Sequence, residues 1–196
     1  MTDADLHAML QDLADWGGCE LNDFKKQYGD GAYLRVKRRD LADVIDTPFG
    51  RIMYLTREGR LAVGLTNLYH PTVQALVNNV AVRRSVALLL LEGYLNPEPR
   101  VYGNAHARMT DPEGKVVCVS ARATTFSSQA IRLLATRLFD GTRPELTRLI
   151  VFVPKPKRGL KTFLERYPVE IRDVPLRPLV TRVEPKSRAR GERATS

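Results

Sequence analysis

Long apolar runs are missing from this chain: the longest uninterrupted one, Val86 to Leu91, has six residues and follows Arg83-Arg84. A membrane-spanning helix needs about 20 such residues, so no span is expected. The opening MTDADLHAML is acidic where a secretory leader would be basic, which predicts a cytoplasmic location. Cysteine is scarce as well. Cys19 and Cys118 stand far apart, and in a reducing cytosol both are expected as free thiols with no disulfide. None of the three histidines, His7, His70 and His106, lies at a metal-ligand spacing from another or from either cysteine, so no metal and no cofactor is expected.

Catalytic signatures are equally thin. Gly29-Asp30-Gly31 has no third glycine in register and no following Gly-Lys-Ser/Thr, which excludes both standard phosphate loops. Ser120, Ser127 and Ser128 lack the Gly-x-Ser-x-Gly frame of a nucleophile elbow. Tyr28, Tyr33 and Tyr54 have neither the histidine cluster nor the arginine set that activates a tyrosine nucleophile. No catalytic residue is assigned on these grounds.

What the chain has in excess is positive charge, +9 over 196 residues, unevenly placed. Met1 to Asp23 carries six acidic and no basic side chains, whereas Phe24 to Arg60 nets +4, Leu61 to Pro154 nets +4 and Lys155 to Ser196 nets +7. That distribution suits a polyanion such as double-stranded DNA. A membrane surface would accept the same charge, but no run here is long enough to span a bilayer. With 43% apolar residues the chain can also bury real cores, in one domain or two small ones.

The segment Phe24 to Gly64 reads as the second half of a winged helix. On a helix of about 100° per residue, Leu34, Leu41, Val44 and Ile45 fall on one side and Arg35 and Arg39 on the other. Arg35 and Arg39 are then expected to read base edges in a major groove, with Val36 beside them for a thymine methyl. Tyr33, Lys37 and Arg38 complete the set, the two cations toward phosphates. The loop Asp46-Thr47-Pro48-Phe49-Gly50 reads as a wing tip, with Arg51 and Arg57 as wing-side phosphate contacts, and Thr56 as the cap of an exit helix. An ordinary amphipathic helix with a solvated basic face is the competing reading. Upstream, Leu6, Met9, Leu10 and Leu13 give a first helix from Asp3 to Trp16, ended by Gly17-Gly18, and Glu20 to Tyr28 gives a second, ended by a turn at Gly29-Asp30-Gly31.

His70-Pro71 opens a second unit with a long helix to about Leu91. Val73, Val77, Val80, Ala87 and Leu91 form a stripe along it, buried against its own sheet or pairing two copies in a homodimer. Strands are expected at Arg100 to Met109 and Lys115 to Ala123 around the turn Thr110 to Gly114, then a helix Ser127 to Phe139, a buried strand Leu149 to Val153, a short helix Lys161 to Tyr167 and a last strand Val169 to Val174. The order α-β-β-α-β-α-β predicts a small mixed sheet covered by helices. Lys155, Lys157, Arg158 and Lys161 form a basic cluster on a loop, and beyond about Leu179 the basic, coreless sequence reads as a disordered tail.

A winged helix followed by His70, Asn78-Asn79-Val80 in a long helix, a strand hairpin and the LIVFV strand resembles the replication-relaxation family of plasmid and mobile-element proteins, over roughly Leu6 to Val174. The resemblance implies an α+β protein: a winged helix-turn-helix domain at 1–68, a small mixed α/β domain like a PD-(D/E)xK restriction endonuclease at 69–179, and a basic tail at 180–196. It would place metal-binding carboxylates at the positions of Asn104-Ala105-His106-Ala107 and Ser120-Ala121-Arg122, where this sequence has none. Such nucleases hold Mg²⁺ through carboxylates, so a degenerate, catalytically inactive domain is expected. The resulting expectation is a non-enzymatic DNA-binding regulator or accessory factor in replication, maintenance or transcription. The alternative is a metal-dependent nuclease or relaxation enzyme with an atypical site at Asp111, Glu113 and Lys115.

Overall fold

The computed structural model describes residues 2–67, 70–103, 105–154 and 166–177. The helix expected at Lys161 to Tyr167, the cluster Lys155 to Lys161 and the tail lie largely or wholly outside them. Helix α1, Asp3–Trp16, starts at a capping box in which the Thr2 hydroxyl accepts from the Asp5 amide at 3.1 Å while the Asp5 carboxylate accepts from the Thr2 amide at 2.6 Å. Strand β1 (Cys19–Glu20) and helix α2 (Leu21–Tyr28) follow. One residue, Gly29, then turns the chain into α3, Asp30–Arg38; its φ of 86° is left-handed territory that an L side chain would strain. Strands β2 (Ala42–Thr47) and β3 (Gly50–Leu55) form a hairpin, and α4 spans Arg57–Ala62. The three strands make an antiparallel sheet in the order β1-β3-β2. Its core joins Leu6, Met9, Leu10 and Leu13 of α1 to Phe24, Val36 and Met53.

Expectation and structure part company at the end of α3. The helix does not run on to Ile45. It closes at Arg39 with two reversed bonds, Asp40 N to the Lys37 carbonyl and Leu41 N to the Val36 carbonyl, both 3.1 Å, and Asp40 takes φ 53°. This is a Schellman ending. The same motif ends α4 at Gly64 and α5 at Gly93, where glycine announces it. At α3 an aspartate holds the left-handed position, so the sequence gives no stop signal. Val44 and Ile45 accordingly belong to a strand, and their fit to the helical period is accidental.

Helix α5, Val73–Leu91, is capped by Thr72, so Pro71 precedes the cap and does not begin the helix. It lies between the two sheets and is buried around most of its circumference. Leu76, Val77, Val80, Ala81, Val86 and Leu89 share one cluster with Ile52 and Tyr54 of the first sheet and with Ala107, Val119, Ile150 and Phe152 of the second. The expected stripe is therefore split: Val77 and Val80 are core, while Val73, Ala87 and Leu91 face solvent. The five therefore do not form one continuous face, since two of them are covered by the chain's own core.

The second sheet has the order β4-β5-β6-β7-β8, from Leu95–Pro99, His106–Thr110, Val116–Ala121, Leu146–Val153 and Val169–Asp173. β4 to β6 are antiparallel and β6 to β8 parallel. Helix α6, Ser128–Leu138, covers the face opposite α5 through Ile131, Ala135 and Leu138. The mixed, helix-covered sheet is as expected, with one edge strand more. β4 escaped notice because LNPEP has no apolar alternation and two prolines, a composition suited to an edge.

Candidate nucleic-acid interface

The α2-Gly29-α3 corner presents α3 on the surface, and Ala32 and Val36 fix its rotation by pointing inward. Val36 is 0% exposed and cannot meet a base, which corrects the thymine-contact expectation. Leu34, expected inside, is 48% exposed. At about 100° per residue the outward line is Leu34 and Arg38, with Lys37 and Asp30 beside them. Arg38 makes no ion pair among the described residues, and Lys37 pairs only with half-exposed Asp43 at 3.3 Å. Arg35 and Arg39 are on the flank and converge on Asp3 of α1 at 3.2 and 3.9 Å. Tyr33 is on the other flank, where Lys25 sits 4.8 Å from its ring centre and also pairs with Asp30. Assigning Arg35 and Arg39 as the outermost pair was an error of rotation, inherited from extending the helix to Ile45.

The hairpin after α3 behaves differently from a projecting wing. At its tip the Thr47 hydroxyl donates to the Gly50 carbonyl at 2.7 Å and accepts from the Phe49 amide at 3.2 Å. Phe49 packs against the central cluster and lines a cleft with Asp173, Val174, Pro175 and Leu176 after β8. The tip is thus docked on the second unit. Arg51, at the start of β3, remains exposed and pairs with Asp46 at 3.4 Å. Arg57 is exposed at the first turn of α4, next to the corner where the Thr56 hydroxyl donates to the Asp40 carbonyl.

Part of the charge asymmetry has an internal use. Arg83 of α5 pairs with Asp12 at 2.8 Å, and Arg84 donates through Nε to Glu20 at 2.7 Å and approaches Asp23 at 3.4 Å. Arg100 donates to the Ala14 carbonyl at 2.7 Å. The acidic first segment is held against the second unit by these arginines, a pairing that segment charges do not reveal. Glu20 in turn holds the Arg84 guanidinium above its ordinary value.

In the second sheet, Asp111 is not solvated as a hairpin tip would suggest; it is 5% exposed. Its Oδ1 accepts from the amides of Glu113 and Lys115 at 3.0 and 2.8 Å, and its Oδ2 accepts from Arg148 at 3.1 Å. Arg148 also donates to the Tyr94 hydroxyl and to Glu170. Glu113 faces solvent and pairs with Lys115 at 2.6 Å. The two carboxylates therefore do not share a site, and among the described residues no three His, Cys, Asp or Glu side chains come together as metal ligands. Asp111→Ala should lower stability by about 2 kcal/mol, because two amides and a guanidinium lose their acceptor. Urea unfolding checks this.

The positions where the resemblance would place carboxylates are occupied as the sequence indicates, Asn104 lying outside the described residues. His106 of β5 and Ser120 of β6 face each other in register, and Arg122 follows the end of β6. Burial, then the charges of Arg122 and Arg137, push the His106 imidazole down to about 4. Burial likewise lowers Arg122 and pushes the thiols of Cys19 and Cys118 up to about 12, which makes both cysteines inert. Neither pairs with the other, and both are buried.

No family model matches the sequence, and no curated protein does. The replication-relaxation resemblance therefore has no support from either comparison. Among solved structures the chain is similar to "Structure of EndoMS in apo form" (12% identity, TM-score 0.36, 63% of this chain and 50% of that one). A "crystal structure of a repair endonuclease from Pyrococcus abyssi" matches at 17% identity and TM-score 0.37, over 63% and 52%. "Structure of EndoMS-dsDNA2 complex" matches at 16% and 0.35, over 63% and 51%. The chain spans about half the length of these proteins, and superpositions at that level decide neither its fold family nor its activity. No described helix is long and apolar enough to cross a membrane.

Proposed function

We propose that the chain is a non-enzymatic double-stranded DNA-binding protein, a regulator or accessory factor whose first unit, 1–68, is a winged helix with α3 as its reading helix. The observation that carries this is the outward side of α3, where Leu34, Lys37 and Arg38 stand together on a helix presented by a one-residue turn. The element order helix, strand, helix, helix, strand, strand with sheet order β1-β3-β2 supports it. Lys37 and Arg38 contact base edges or phosphates, and Leu34 supplies the apolar contact expected of Val36. Tyr33, Arg35 and Arg39 flank the groove, the two arginines exchanging Asp3 for phosphate. Arg51 and Arg57 meet the backbone from the hairpin and the α4 corner.

The second unit, 69–179, is in this reading a platform with an inactive nuclease-like sheet, since Asp111 serves as a hairpin staple, Glu113 faces solvent, and among the described residues no three candidate ligands come together. The test is fluorescence anisotropy with labelled duplex and single-stranded oligonucleotides over a salt series, followed by incubation of supercoiled DNA with Mg²⁺ or Mn²⁺. Duplex should bind more tightly than single strand, with log K falling by about 0.9 per phosphate contact against log salt, and the DNA should stay intact. Equal affinity for single strands would remove the groove-reading helix, and metal-dependent nicking would remove the non-enzymatic half.

A further inference from the structure

A cleft of about 390 Å³ opens beside the flank of α3, between the first two turns of α1 and the last turn of α4. One wall is the side of α1 that carries Asp3, Leu6, His7 and Leu10, an i, i+3, i+4, i+7 set. Leu41 and Ala62 make the other wall, with Arg39 beside them. Leu6 and Leu10 are buried and form the floor, while Asp3, His7 and Arg39 are exposed and form the rim. The backbone holds the second wall in place: the Thr56 amide donates to the Leu41 carbonyl at 3.2 Å, and Gly59 packs so closely on that carbonyl that a Cβ there would lie 1.8 Å from its oxygen. The cleft therefore exists before any ligand arrives.

A concave site of this volume, apolar at its floor and polar at a few points of its rim, suits a small molecule. The rim decides the charge of the occupant. Asp3 meets Arg35 at 3.2 Å and Arg39 at 3.9 Å, so the contact with Arg39 is the longer one, and its half-exposed guanidinium can take a closer acceptor. The Asp3 side chain is 87% exposed and can turn to water at little cost. A cationic ligand on Asp3 would instead have two guanidiniums beside it. An apolar body on Leu6, Leu10 and Leu41 with a carboxylate on Arg39 fits both the floor and the rim.

We infer that this cleft binds an apolar monocarboxylate, alkyl or aryl, and that its occupation weakens duplex binding by α3. The second half rests on the DNA-reading role proposed above, and the first does not. Arg39 is the C-cap of α3, and Leu41 follows the left-handed Asp40, so the ligand touches the segment that ends the reading helix. A carboxylate on Arg39 occupies a cation that would otherwise meet phosphate, and it adds negative charge at the groove.

The probe is sodium octanoate added to the full chain at pH 7 without DNA, with the Cε1–H signals of the three histidines followed by NMR. His7→Gln assigns the signal that reports the cleft. That signal should move saturably while those of His70 and His106 stay still. Acetate, which lacks the body, and octylammonium, which has the wrong charge, should bind far more weakly. Hexanoate should bind more weakly than octanoate by up to about fourfold per methylene lost. Arg39→Gln should weaken octanoate binding about tenfold or more, the loss of one charge-assisted contact. Asp3→Asn removes the competing carboxylate and should tighten it. Ala62→Leu fills the cleft from an exposed helical position that accepts leucine, and should weaken it. Duplex affinity by anisotropy should fall severalfold at saturating octanoate, compared with acetate at matched ionic strength, and should not respond in Arg39→Gln. No saturable His7 shift, or one equally strong in folded Arg39→Gln and Ala62→Leu, would overturn the site. Saturable binding that leaves duplex affinity unchanged would overturn the coupling. A chain that binds octanoate but no duplex would sink the DNA reading, and the coupling with it, and leave the site standing.

Discussion

Changing Lys37 and Arg38 together to glutamate should lower affinity for every duplex sequence by about a hundredfold, equivalent to about 2.7 kcal/mol. Both side chains lie on the outward side of α3, and Arg38 makes no ion pair among the described residues. Each reversal removes a phosphate or base-edge contact and adds repulsion, so the slope of log K against log salt should become shallower by about 1 per residue. Stability should barely change, because the one pair affected, Lys37 with Asp43, is exposed on both sides and contributes under about 1 kcal/mol. Arg35→Ala with Arg39→Ala should have the smaller effect, since both already pair with Asp3 on the flank. Affinity that follows Arg35 and Arg39 but ignores Lys37 and Arg38 would mean that α3 meets its ligand through the other flank.

A second large effect is expected from pH. Burial first, and Arg122 and Arg137 second, hold His106 at about 4 in the fold, against about 6.5 in an unfolded chain. The unfolded state therefore binds a proton between those values and the native state does not. Stability falls as pH drops from about 6.5 to about 4, by roughly 3 kcal/mol, and is unaffected by this group above pH 7. His106 is 9% exposed, so solvent screening removes little of that. The measurement is urea unfolding at a series of pH values for the wild-type chain and for His106→Gln. The variant should lose this part of the slope while retaining the acid loss common to both proteins. Parallel curves would show that His106 titrates normally and that its surroundings are wetter than its burial implies.

Much of this architecture is legible in the sequence, for reasons that can be named residue by residue. Leu6, Met9, Leu10 and Leu13 repeat at the helical period and are the buried side of α1, and Thr56 and Ser127 cap the helices they precede. Leu149 to Val153, apolar at every position, is a central strand buried on both faces. What could not be read depends on tertiary placement. The rotation of α3 is set by burial of Ala32 and Val36, but its ending at Asp40 lacks the usual glycine, and two strand residues happened to continue its period. Helix α5 is apolar on nearly all sides because it separates two sheets, a position for which no stripe exists. Asp111 looks like a turn residue from its neighbours in sequence, and only the arrival of Arg148 from β7 makes it an internal anchor. The burial of Ser120 and His106 opposite one another likewise appears only when β5 and β6 are set in register.

The most direct measurement of the central claim is hydroxyl-radical footprinting of a duplex from the coding region's own upstream sequence, in Mg²⁺, with the wild-type chain and with Lys37→Glu/Arg38→Glu. The account predicts a bounded protected tract on intact strands, with protection lost in the variant although its unfolding midpoint is unchanged. Protection that persists unchanged in the folded variant, or strand breaks that require the metal, would contradict it.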